Sequence, residues 1–314
     1  MAFVTFFSSV NMSSTPVTIG TLNQPTSSSF TITGPGTSDI YGGSFTYSGN
    51  SVFGTVTSVT TFSGGSILDR ITGLSLDAGT VAFDAKTAQT QVLQALELGG
   101  DDTISALSGK STILAQGGND HIALAGGGNT VDGGAGIDTV IYTGNKANYT
   151  VAVNGDTTQV TSGGLTDTLV NVERIKFADS LVAYDLYGNM GEAYRLYSAA
   201  FNRTPDQAGV SFWTSQLDQG MSVAALAQQF INSAEFQSIY GSAAGASSLV
   251  SGFYANVLGR APDAAGLAYW AGKLLGGMSV SAALVAFADS AENIHKIEPV
   301  LLQGVALDPT LTYV

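Results

Sequence analysis

The sequence predicts a multidomain β + α protein: an N-terminal β module, a parallel β-roll with a β flank, and a C-terminal all-α domain. Three observations lead there. Aliphatic residues recur every nine positions across the middle of the chain. Before them lie β-branched and aromatic segments bounded by Gly, Pro, Asn and Ser. Beyond about residue 189 the period becomes helical, Ala becomes frequent and an internal repeat begins.

The chain of 314 residues is long enough for two or three cores, and at 44% hydrophobic residues it is no disordered acidic polymer. Only 11% of residues are charged while Gly numbers 39, a balance in which turns rather than ion pairs define shape. A net charge of −13 argues against nucleic acid, because too little basic charge is present to neutralise a run of phosphates. Asp placed in Gly-rich loops points to hard cations instead. The chain has no cysteine, which removes disulfides and thiolate metal sites together. The first basic residue is Arg70, so no Sec-type signal is read, and no window reaches the roughly 18–20 apolar residues of a membrane span.

Residues 1–95 read as a small antiparallel β module, with strands over 30–33, 44–47, 54–57 and 58–62. Residues 86–96 have helical composition and predict a short helix before the repeats.

Residues 96–143 carry the repeats. Ile104, Ile113, Ile122, Val131 and Val140 are spaced by nine, and two positions before each stands Asp102, Ser111, Asp120, Asn129 and Asp138. With Gly100, Gly118 and Gly136 and their neighbours, the pattern is G-G-x-G-x-D-x-U-x, U being a large aliphatic residue. Glycines let the loop curl with its carbonyls inward. The short strand that follows points its aliphatic residue into the coil. Each nine-residue turn is half a coil, so positions eighteen apart stack. Asp102, Asp120 and Asp138 then line one edge, and Ser111 and Asn129 line the other. A calcium ion between stacked loops would take carboxylates from two Asp and carbonyls from both loops, reaching its usual 6–8 oxygens. Two sites are expected, one between Asp102 and Asp120 and one between Asp120 and Asp138; the edge of Ser111 and Asn129 should bind weakly or not at all. The alternative is a metal-free coil in which Asp and Asn act as turn formers. His121 reads as a solvent-facing strand residue, since calcium has little use for imidazole.

This segment resembles the RTX (repeats-in-toxin) family of secreted proteins. The likeness extends into residues 144–188, through Tyr149-Thr150-Val151 and then Thr166-Asp167-Thr168-Leu169-Val170-Asn171-Val172-Glu173-Arg174-Ile175-Lys176-Phe177-Ala178-Asp179, similar to the flank that closes RTX β-rolls. The resemblance implies Ca2+-triggered folding outside the cell and export by type I secretion machinery that reads an uncleaved C-terminal signal. The degenerate Ser111 and Asn129 depart from the family pattern.

Residues 189–295 hold a duplicated helical domain. Tyr197, Arg203, Pro205, Asp206, Gly209, Trp213, Ser222, Phe230, Ser233 and Glu235 recur 57 residues later, as Tyr254, Arg260, Pro262, Asp263, Gly266, Trp270, Ser279, Phe287, Ser290 and Glu292. Pro205 and Pro262 suit a helix first turn, Ser222 an N-cap, and Phe212-Trp213 and Tyr269-Trp270 packing anchors. An Arg203–Asp206 pair is expected to brace a loop over the Trp. The motif R-x-P-D-x-x-G-x-x-[YF]-W is similar to that of a bacterial domain family of unassigned function appended to RTX and S-layer proteins. Residues 296–314 are expected to be a tail resembling a type I secretion signal.

An enzyme is not expected. The two histidines, His121 and His295, form no H-E-x-x-H, and G-x-S-x-G is absent. Two readings remain: a secreted, extracellular or cell-surface structural protein that binds calcium and assembles with itself into a layer, filament or matrix, or a calcium-dependent adhesin that binds glycan or a host surface.

Overall fold

The structure is a computed structural model that describes residues 3–6, 21–23, 25–33, 36–48, 51–77, 98–106, 109–241 and 244–310; the helix expected over 86–96 falls outside them. The protein is mixed β and α, with N-terminal sheets and eight C-terminal helices among the described residues. It forms two compact units, residues 1–179 and 180–314.

In the first unit, β1 (Phe3–Phe6), β2 (Thr21–Asn23), β3 (Ser29–Thr33), β4 (Thr37–Ser48), β5 (Ser51–Ser63) and β6 (Ser66–Asp77) pair antiparallel in the order β2-β3-β4-β5-β6-β1. Alternation in β3 and β4 buries Phe30, Ile32, Tyr41 and Phe45. The Phe30 and Tyr41 rings stack with centroids 4.8 Å apart, and Phe45 meets Phe30 edge-on at 5.0 Å.

The repeats give five short strands, β7 (Thr103–Ala106), β8 (Thr112–Leu114), β9 (His121–Leu124), β10 (Thr130–Asp132) and β11 (Thr139–Ile141). They alternate between two sheets. β7, β9 and β11 pair in parallel with Ile104 opposite Ile122 and Ile122 opposite Val140. β8 pairs in parallel with β10, Ile113 opposite Val131. All five aliphatic residues are fully buried. β1 lies between β6 and β7, parallel to β7, so the N-terminal strands and the repeats share a sheet.

After Val140 the nine-residue period stops. A 3-10 turn (Lys146–Asn148) leads into β12 (Thr150–Asn154), β13 (Thr157–Ser162) and β14 (Leu165–Val170), an antiparallel meander whose first loop is Gly155-Asp156. β14 then pairs in parallel with β10, Leu169 opposite Val131, and β15 (Arg174–Lys176) pairs in parallel with β11, Ile175 opposite Val140. The excursion therefore rejoins both sheets and extends both apolar columns by one residue.

In the second unit, β16 (Leu181–Ala183) precedes α1 (Asn189–Phe201), α2 (Gln207–Asp218), α3 (Val223–Asn232), α4 (Ala234–Tyr240), α5 (Ala246–Val257), α6 (Ala264–Leu275), α7 (Val280–Ala288) and α8 (Ala291–Leu301). The duplication repeats atom by atom at the caps. Asp206 and Asp263 each accept the amide three residues on at 2.7 Å, and Ser222, Ser279, Ser233 and Ser290 cap the helices that follow them. Pro205 and Pro262 thus stand before the N-cap, not in the first turn, because the aspartate takes the capping position. The expected Arg–Asp brace is mainly an Arg–Glu brace. Arg203 Nε meets Glu235 at 2.8 Å, against 3.8 Å to Asp206, and Arg260 meets Glu292 at 2.7 Å. Each guanidinium lies over a tyrosine, Tyr197 at 4.8 Å and Tyr254 at 4.9 Å. Trp213 and Trp270 pack on Phe230 and Phe287, but Phe212 and Tyr269 face outward, 48% and 57% exposed. The expected tail is folded through residue 310: Ile297 and Leu301 are buried on α8, and β17 (Val305–Leu307) pairs antiparallel with β16.

Truncating the column should be costly. Ile122→Ala, at a fully buried position between two like neighbours, should cost about 2–5 kcal/mol in urea unfolding of the β unit. Phe212→Ala, on an exposed face, should stay within about 0.5 kcal/mol.

Candidate metal edge

Parallel strands lie about 4.7–4.9 Å apart, so residues eighteen positions apart on successive coils become neighbours. The structure brings Asp102, Asp120 and Asp138 together on one edge in this way, each at the residue before its strand and none more than 2% exposed. They form a ladder. The amide of Asp102 donates to Asp120 Oδ1 at 2.7 Å, and the amide of Asp120 donates to Asp138 Oδ1 at 2.8 Å. This arrangement uses one oxygen of the Asp120 carboxylate and one of the Asp138 carboxylate. The other is left over: no hydrogen-bond donor reaches Oδ2 of Asp120 or of Asp138, although both residues are completely buried. Such an acceptor is costly unless something positive meets it.

The glycines stack beside the acids. Gly118 and Gly136 take positive φ, +110° and +138°. A Cβ on Gly118 would lie 2.5 Å from the carbonyl oxygen of Gly100, and one on Gly136 would lie 2.0 Å from that of Gly118. Only glycine admits this approach, which stacks the loop carbonyls coil on coil beside the carboxylates. Among the described residues no three carboxylate or imidazole groups gather into a preformed cage. The edge is a ladder with one acid per coil, not a pocket.

Burial above all pushes the Asp120 carboxyl up to about 8, reinforced by the charges of Asp138, Asp102 and Asp101 and opposed by the Asp102 amide. Burial likewise lifts Asp138 to about 6, with Asp132 and Asp101 adding to it and the hydrogen bonds with Asp120 opposing.

The second edge solves the same problem internally. The amide of Ser111 donates to Asn129 Oδ1 at 3.0 Å. The amide and Nδ2 of Asn129 donate to Asp167 Oδ1 at 2.7 and 2.9 Å, and the Tyr142 hydroxyl donates to Asp167 Oδ2 at 3.0 Å. Both oxygens of its single carboxylate are met. Burial and the adjacent Asp167 raise the Tyr142 hydroxyl far above its ordinary range, so it stays a donor.

Four residues of these ladders lie outside the predicted set: Asp167, Glu173, Asp101 and Asn119. Glu173 Oε2 accepts the amide of Asp138 at 2.8 Å, occupying the place an aspartate of a further coil would hold. Asn119 donates to Asp101 Oδ1 and accepts from the amide of Ile137, both at 2.7 Å, a parallel rung one residue upstream. The signal existed. Asp167-Thr168-Leu169 and Glu173-Arg174-Ile175 repeat the acid-x-aliphatic spacing of Asp138-Thr139-Val140, off the nine-residue beat. His121 is exposed on β9, as expected.

Residues 191–226 and 227–297 match the family described as a domain of unknown function, DUF4214. No curated protein matches. Among solved structures, an extracellular lipase, LipA from Serratia marcescens, is similar over 25% of this chain and 13% of that one, at 24% identity and a TM-score of 0.24. This chain therefore spans a small part of that structure. No helix among the described residues is long and apolar enough to cross a membrane.

The pH dependence of the cation-free protein follows. Asp120 and Asp138 hold protons more tightly folded than unfolded, where their value is 3.8. Their ionisation therefore costs stability as pH rises above about 4, and the cost is fully developed above about 8. In chelator, urea unfolding of the β unit should show higher stability at pH 5 than at pH 8, and Asp120→Asn should flatten that slope.

Proposed function

We propose that this is a secreted calcium-binding structural protein, whose repeats form a parallel β-roll that folds when calcium binds along the Asp102–Asp120–Asp138 edge. The observation that carries it is the pair of buried carboxylate oxygens without donors, Asp120 Oδ2 and Asp138 Oδ2, beside glycine loops stacked carbonyl on carbonyl. Carboxylate and carbonyl oxygens are the donor set a hard divalent cation takes. Asp102, Asp120 and Asp138 would hold it, with loop carbonyls such as those of Gly100 and Gly118; the ion supplies the positive charge these residues lack. Without it the acids repel one another, and the glycine loops carry a high ordering entropy. Binding free energy then becomes folding free energy.

The RTX-like pattern supports an extracellular setting, where calcium is abundant and a chain exported unfolded would meet it first. A coil that buries its acids and carries few exposed charges suits a building element, and we assign the protein to a surface layer, filament or matrix assembled from its own copies. Electron microscopy of purified protein with and without calcium tests this: ordered polymers support assembly, whereas a monomer that captures glycans on an array points to adhesion.

Chelation should remove strand signal in circular dichroism while leaving the helical signal largely intact; an unchanged spectrum refutes calcium-coupled folding. Asp120→Ala should be the most damaging single change for calcium uptake by isothermal titration, because Asp120 belongs to both proposed sites.

A further inference from the structure

The acidic edge does not end at Asp138. After the β13–β14 hairpin the chain returns past Asp138 through Asn171, Val172 and Glu173, and Glu173 Oε2 accepts the amide of Asp138 at 2.8 Å. Asp138 Oδ1 is taken by the amide of Asp120, while Oδ2 is fully buried and meets no donor. Gly133 marks where that oxygen is aimed. A Cβ built there would stand 2.4 Å from Asp138 Oδ2 and 2.2 Å from the carbonyl oxygen of Asn171. Both oxygens crowd the same side of Gly133 and therefore lie near enough to each other to be bridged by one calcium ion beside the glycine, whose bonds to oxygen run about 2.3–2.6 Å.

The Asn171 carbonyl is held in place. Asn171 sits in the left-handed region with φ 50°, and its Nδ2 donates to Asp132 Oδ1 at 2.8 Å. That conformation is uncommon for a residue with a side chain, and the bond to Asp132 stabilises it. The charges also suit a divalent ion. Asp132, Asp138 and Glu173 supply three carboxylates, and the buried Arg174, whose Nη1 donates to the Glu173 carbonyl at 3.2 Å, offsets one of them.

We infer that the closing coil holds a further divalent-cation site, with Asp138 Oδ2 and the Asn171 carbonyl as ligands and Glu173 as the acid that holds the returning chain against them. This rests on the calcium reading of the edge and goes beyond it, because the site lies outside the nonapeptide run. It makes the last coil contingent on the hairpin that interrupts the repeat: the ion joins residues on both sides of that excursion.

The test counts ions on the full chain, stripped by chelation and reloaded with calcium, by native mass spectrometry and isothermal titration. The expected result is three calcium ions on this edge in the wild type and two in Glu173→Ala, which removes the acceptor of the Asp138 amide and releases the returning chain. Gly133→Ala, whose Cβ would clash with both ligand oxygens and push them apart, should lose the same ion. A wild type that binds two ions, or folded variants that keep the wild-type count, overturns the inference while leaving the two-site reading intact. No calcium uptake at all sinks both. Should both variants fail to fold, a crystal of the wild type grown in calcium decides: an ion bonded to Asp138 Oδ2 and the Asn171 carbonyl upholds the site, whereas water or the Arg174 guanidinium against that oxygen refutes it.

Discussion

The β unit depends on a single electrostatic difficulty, like charges buried in a column. Parallel stacking fixes the rise from coil to coil at about the strand spacing, so an acid placed at the same point of every second repeat recurs at that spacing. Backbone amides satisfy one oxygen of the Asp120 and Asp138 carboxylates and no more, as the bonds from Asp102 to Asp120 and from Asp120 to Asp138 show. Each added coil that buries another acid adds repulsion and desolvation together. The fold cannot relieve this by rotating the side chains outward, because Oδ1 of Asp120 and of Asp138 is already committed to the coil before. Either protons or cations must settle the remainder.

The opposite edge shows that the coil itself does not impose the problem. Strands β8, β10 and β14 stack with the same parallel geometry, and the residues at the equivalent positions are Ser111, Asn129 and Asp167. There an amide side chain donates where a carboxylate cannot, and Tyr142 supplies the last hydrogen bond. One edge is thus closed by the protein's own donors and the other is left short of positive charge. Parallel stacking is common to both, so the difference lies in side chains: Ser111 and Asn129 stand where the first edge has Asp102 and Asp120, and Tyr142 adds a donor to Asp167.

Much of this was legible in the sequence because the repeats are periodic. The nine-residue beat placed Ile104, Ile113, Ile122, Val131 and Val140 in the core and sorted Asp from Ser and Asn onto two edges, and the coordinates put those residues there. What escaped was what breaks the beat. Glu173 and Asp167 keep the acid-x-aliphatic spacing but arrive after a hairpin, so counting from Asp138 misses them. In the helical half the 57-residue duplication identified the Arg, Pro, Asp, Trp and Glu positions, yet not which acid the arginine would choose. Asp206 and Asp263 were already occupied as caps, and Glu235 and Glu292, thirty-two residues downstream, were free to reach the guanidinium. Likewise a two-residue aromatic motif on a helix cannot bury both members, since adjacent residues point about 100° apart. Trp213 turned inward and Phe212 outward.

The two units consequently answer to different forces. In the helical unit α2, α3, α4, α6, α7 and α8 start on side-chain caps, and buried Arg195 pairs with Asp289 at 3.1 Å and donates to the Leu186 carbonyl at 2.6 Å. Its arginine braces are half-exposed, so they contribute little beyond holding Tyr197 and Tyr254 in place. The β unit has a fully buried apolar column, but a polar edge on which Oδ2 of Asp120 and of Asp138 meets no donor. Among the described residues, the buried side-chain atoms left without a partner in the helical unit are the neutral hydroxyls of Tyr184 and Thr214, whereas in the β unit they include carboxylate oxygens of Asp120 and Asp138. The difference resides in side-chain charge, and neutral hydrogen-bonding residues at the same positions, such as Ser111 and Asn129 on the second edge, carry none of it.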